Sequence, residues 1–141
     1  MREVVGMPKS VAGAFLKLPG IFNVLFDYQN FPISYESGLN DVPQFDAHIE
    51  VYSQQKIVRV DFDGPYNKGF LVMMTIREKF DDGSFQERKV RKTYEDPYIL
   101  ELLEFYDCVI SGRTPKSNAE DAKKDVELFQ MILRAGFKSR V

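Results

Sequence analysis

Apolar and polar residues alternate with a period of two through residues 9–93, and from residue 96 onward the apolar spacing lengthens to three and four. The first pattern predicts about seven strands and the second predicts two helices. Lys9 to Leu16 reads as a strand, and Pro19-Gly20 breaks the chain before a second strand, Ile21 to Tyr28. There Phe22, Val24, Phe26 and Tyr28 share one face, with Asn23 and Asp27 on the other. A third strand, Phe31 to Ser37, carries Pro32 near its start, which suits an edge or a bulge because proline donates no ladder hydrogen bond. Gly38 to Pro43 reads as a loop.

Phe45, Ala47, Ile49 and Val51 alternate with Asp46, His48, Glu50 and Tyr52, and Ile57 to Phe62 resumes after Ser53-Gln54-Gln55. This is a hairpin with a short polar turn. Asp63-Gly64-Pro65 ends it. Phe70 to Glu78 is apolar on both faces, as expected of a strand inside a covered sheet. After Asp81-Asp82-Gly83, the run Ser84 to Thr93 carries Glu87, Arg88, Lys89, Arg91 and Lys92, a charge density that suits an edge protected from unwanted pairing.

Asp96-Pro97 marks a helix start, with a capping carboxylate followed by proline at the first helical position. Ile99, Leu102, Leu103, Tyr106 and Ile110 form its expected buried stripe, and Gly112 ends it. Ser117 and Glu120 have the spacing of a capping box for a second helix, with Ala122, Val126, Phe129 and Leu133 as its expected buried stripe and Gly136 as its stop. The fold class is therefore α+β: a predominantly antiparallel or mixed open sheet of about six to seven strands, with two C-terminal helices on one face. Six strands present a face of roughly 600 Å², and two helices cover only one side. The other face needs a partner, either a second copy or another domain.

Length, 141 residues, fits a single domain over 1–141, and 44% hydrophobic content supports a core without metal or disulfides. Cys108 is the sole cysteine and falls on the apolar side of the first long helix, where a buried inert thiol is the simplest reading. A formal charge of −2 with both signs interspersed argues against nucleic acid as a partner. No stretch approaches the length of a bilayer span and the N-terminus lacks a signal-like apolar run, so a soluble, cytoplasmic chain is expected.

Candidate chemistry is sparse. The nine glycines include no Gly-x-Gly pair, so neither a dinucleotide fingerprint nor a phosphate loop can be built. No cofactor is expected on this chain alone. His48 is the single histidine and shares a strand face with Asp46 and Glu50. Three such neighbours point roughly parallel and do not converge on one ion, so a solvated polar face is the plainer reading and a cleft wall the sharper one. No serine elbow exists, Cys108 has no sequence-adjacent histidine, and Asp61 and Asp63 beside Arg59 read as a charged strand row. No residue is assigned as catalytic, cofactor-binding or metal-ligating. Asn40, in the loop after the third strand, His48, and Tyr94, at the junction before the helix, are the candidates for lining a substrate cleft.

The runs Tyr94-Glu95-Asp96-Pro97-Tyr98, Leu100-Glu101-Leu102-Leu103-Glu104-Phe105, Ile110-Ser111-Gly112-Arg113-Thr114-Pro115 and Asn118-Ala119-Glu120-Asp121-Ala122 resemble the end of the Gfo/Idh/MocA oxidoreductase family. Val5 to Ala14 resembles the segment where that family enters the sheet of its second domain, and Phe45 to Tyr52 resembles a recurrent central strand. The resemblance implies the C-terminal α/β domain of a two-domain NAD(P)-dependent enzyme. Its nucleotide-binding half and Glu-Lys-Pro motif would lie before Met1, and NAD or NADP would belong to the parent protein. It further implies a sugar-like or polyol small-molecule substrate, with one sheet face walling the cleft and the other forming a homo-oligomer. The family's catalytic signatures map onto no residue here. The alternatives are a free-standing, non-catalytic binding or assembly module that uses the open sheet face, and a small unrelated enzyme built on His48.

Overall fold

A computed structural model describes residues 1–38, 45–62 and 72–138. The elements follow in order: α1 (Arg2–Val5), β1 (Ser10–Lys17), β2 (Ile21–Asp27), β3 (Pro32–Gly38), β4 (Ala47–Tyr52), β5 (Lys56–Phe62), β6 (Met73–Lys79), β7 (Phe85–Val90), α2 (Pro97–Ser111) and α3 (Ala119–Lys138). The α+β class, the open antiparallel sheets and the C-terminal helices agree with the alternation and capping signals. The described strands form two sheets rather than one, in the orders β1-β2-β3 and β4-β5-β6-β7, every neighbouring pair antiparallel. Alternation marks each strand but is silent on which strands pair. The predicted loop with Asn40 and Asp41, the break at Asp63-Gly64-Pro65 and the start of the Phe70 strand lie outside the described residues.

The chain divides into two compact units, Met1–Pro43 with Thr114–Val141, and Gln44–Arg113. In the first, β2 registers Val24 against Ala14 and Tyr35, and Phe26 against Val11 and Ile33, so these side chains share one face. Leu16, Val24, Phe26 and Ile132 are buried together, with Phe22, Tyr28, Ile33, Leu128 and Leu133 packed around them. A bulge between Val11 and Gly13 shifts the β1 register, and Pro32 opens the edge strand β3 as its missing donor requires.

Two details of α3 differ from expectation. Its cap is Asn118, whose Oδ1 accepts from the Asp121 amide at 3.0 Å, so the helix starts one residue later than a Ser117–Glu120 box demands. Gly136 does not stop the helix, which runs on to Lys138. It is buried, and a Cβ there would overlap the Leu16 side chain on β1. The glycine lets helix and strand approach closely, and this turns the packed stripe to Leu128, Ile132 and Gly136. That stripe lies about 100° around the helix from the expected Val126–Phe129 row, since one residue is one 100° step. Of the expected row, Leu133 does pack against the core, whereas Ala122, Val126 and Phe129 remain exposed, although Phe129 still meets the Phe22 ring at 6.3 Å between centroids.

In the second unit β6 lies inside the sheet and β7 forms an edge, as their patterns suggested. The expected cover on both faces of β6 is not seen among the described residues, and Met73, Met74 and Ile76 are half-buried. The Asp96 carboxylate caps α2 by accepting from the Tyr98 amide at 2.8 Å, and Gly112 ends the helix in the left-handed region at φ 65°. The expected buried stripe of α2 is not buried. Ile99, Leu102, Leu103, Tyr106 and Ile110 are all exposed, and Cys108 is the helix's one buried residue. Helical spacing shows that a side chain belongs to a stripe but does not supply the surface to cover it. No helix among the described residues is long and apolar enough to cross a membrane.

Candidate functional site

Strand register assigns the residues of the four-stranded sheet to two faces, one apolar at its centre with the Lys56–Glu78 ion pair, Gln86 and Arg88 toward one end, the other mainly charged. Across the strands, Ile49 faces Val60 and Met74, and Val51 faces Val58 and Ile76, with Ala47, Phe62 and Val90 on the same side. These are half-buried, or exposed in the case of Ile49 and Val51. No apolar residue of this sheet reaches the buried class among the described residues.

The other face is a lattice of charge. Glu50 lies opposite Arg59, His48 opposite Asp61, and Arg77 opposite Glu87. Arg59 Nε donates to Asp61 Oδ1 at 2.7 Å, Arg77 Nε to Glu87 Oε2 at 2.8 Å, and the Tyr52 hydroxyl to Glu50 Oε2 at 2.8 Å. The Arg77 guanidinium holds the Glu87 carboxyl below its ordinary range, and the hydrogen bond to Glu50 raises the Tyr52 phenol. Thr75, at the centre, is buried. Opposite charges along and across neighbouring strands neutralise one another, which gives a wet, ordered surface and no excess of either sign.

His48 sits on this charged face, partly exposed, with Nδ1 at 3.4 Å from Asp46 Oδ1. Its location fits either a solvated row or a cleft wall, and no three metal-ligating side chains cluster among the described residues. Tyr94 lies between β7 and α2, is 81% exposed, and belongs to a turn in which Thr93 Oγ1 accepts from the Glu95 amide at 3.0 Å. Asn40 lies outside the described residues. Asp61 does pair with Arg59, as its strand position suggested, and Asp63 lies outside the described residues. Burial pushes the Cys108 thiol up, which keeps it protonated and unreactive.

Sequence reasoning missed an ion-pair network in the first unit. Arg2 donates to both Asp121 oxygens at 2.6 and 2.8 Å and to both Asp125 oxygens at 2.6 and 3.0 Å, and Lys116 reaches Glu3 at 3.2 Å. Asp121 and Asp125 stand at i, i+4 on the stripe that continues into Leu128 and Ile132, so the polar end of that stripe is closed by Arg2. The carboxylate spacing was visible in the sequence, but no local signal names a partner more than a hundred residues away. The Arg2 guanidinium lowers both carboxylates from their ordinary values. Their contribution to stability is therefore full above the ordinary Asp value, ~3.9, and is lost as pH falls through the lowered folded values. An acid titration followed by circular dichroism is expected to show Arg2→Gln unfolding at higher pH than the parent chain, with added salt shrinking the gap. Superimposable acid transitions would remove Arg2 from the account.

No family model, curated protein or solved structure matches the chain.

Proposed function

We propose that this chain is an assembly and cleft-wall portion of a larger oxidoreductase, in which a second copy covers the apolar face of β4–β7. One observation carries the assembly role: a single sheet whose one face has a half-exposed apolar centre, bounded at one end by the Lys56–Glu78 pair and Arg88, and whose other face is self-neutralised charge. Two such apolar faces are self-complementary, because aligned sheets interdigitate about 10 Å apart. Four strands span roughly 400 Å² in projection, against ~800 Å² per partner in a standard interface. A dimer resting on the sheet alone is therefore concentration-dependent.

Sedimentation velocity over a wide concentration range tests the assembly role. The parent chain is expected to shift from monomer to dimer. Val60→Glu, at the middle of the apolar face, is expected to stay monomeric with an unchanged circular dichroism spectrum, while Lys89→Glu on the charged face still dimerises. A parent chain that is monomeric throughout would sink the assembly role. A Val60→Glu dimer would move it to another surface.

The oxidoreductase part rests on the order of the Gfo/Idh/MocA-like motifs from Val5 to Ala122, which implies hydride transfer between NAD(P) and a sugar-like or polyol substrate by the parent protein. In this reading the charged face, with His48 and the Arg59–Asp61 pair, supplies hydrogen-bonding groups to a polyhydroxylated ligand, and the nicotinamide and catalytic groups come from the other half. The isolated chain is expected to show no stoichiometric binding in an NADH or NADPH titration followed by nicotinamide fluorescence. Saturable one-to-one binding would overturn this division of labour. An in-frame Gly-x-Gly-x-x-Gly upstream of the Met1 codon would support the oxidoreductase reading. A start site at Met1 would leave a free-standing assembly module.

A further inference from the structure

We draw no further inference here: the strongest candidate, the exposed apolar stripe of α2 formed by Leu102, Leu103, Tyr106 and Ile110, carries nothing because no feature of the structure shows what covers it.

Discussion

Phe26→Ala is expected to cost about 3–5 kcal/mol, the range for truncating a fully buried phenylalanine. Phe26 is 1% exposed and sits in the central strand of its sheet, between Val11 on β1 and Ile33 on β3. Leu16, Val24 and Ile132 complete the cluster around it. Neighbours fixed by two strand ladders and a helix have little freedom to collapse into the void, so the cavity penalty adds to the lost transfer energy. The chain has no tryptophan, so amide hydrogen exchange is the suitable readout. The slowest amides of β2 are expected to exchange at least a hundredfold faster in the variant, since each 1.4 kcal/mol is a factor of about ten. A change below tenfold would mean that Phe26 is not at the centre of this core.

Gly136→Val is the second large effect. A helix-interior glycine is normally a liability, and replacing it with a better helix former stabilises by up to about 1 kcal/mol. Here the added atoms meet Leu16, which is 2% exposed and has nowhere to turn. Overpacking costs about 1–3 kcal/mol, which outweighs the propensity gain, and the branched valine makes the overlap worse than alanine does. A double-mutant cycle isolates the cause. Leu16→Ala alone costs about 2–5 kcal/mol, but in that background Gly136→Ala is expected to become neutral or stabilising, with a coupling of about 0.5–3 kcal/mol. If Gly136→Ala stabilises the otherwise unaltered chain, the close approach of α3 to β1 is wrong.

Gly136 also shows where a sequence signal misleads. A glycine late in an apolar-periodic helix reads as a stop, because glycine readily adopts the left-handed cap. Gly112 does act this way, at φ 65°, while Gly136 stays helical and acts through its missing side chain. The two roles leave the same letter in the sequence and differ only in what lies across from it. The stripe of α3 was displaced for the same reason: Val126 and Phe129 have helical spacing as good as that of Leu128 and Ile132, and the choice between two apolar rows is made by the surface that β1 and β2 present.

The candidate site was legible to a similar depth. Alternation assigned His48 and Glu50 to a polar face of their strand, Ile49 and Val51 to its apolar face, and Arg59 with Asp61 to a charged row, since side-chain direction along a strand is a local property. That the charged row and His48 share one face of the sheet came from the register. The pairs Arg77–Glu87 and Lys56–Glu78 depend on strand register and were not visible.

By itself the sequence determined the seven strands, the Asp96 cap with Pro97 behind it, and the Gly112 stop, because periodicity and capping act within a few residues. Only the tertiary structure decided that the strands form two sheets, that Arg2 closes the acidic end of the α3 stripe, and that the stripe of α2 stays exposed. Each of these follows from contacts between distant parts of the chain, where the free energy depends on which surfaces meet rather than on what any segment prefers alone.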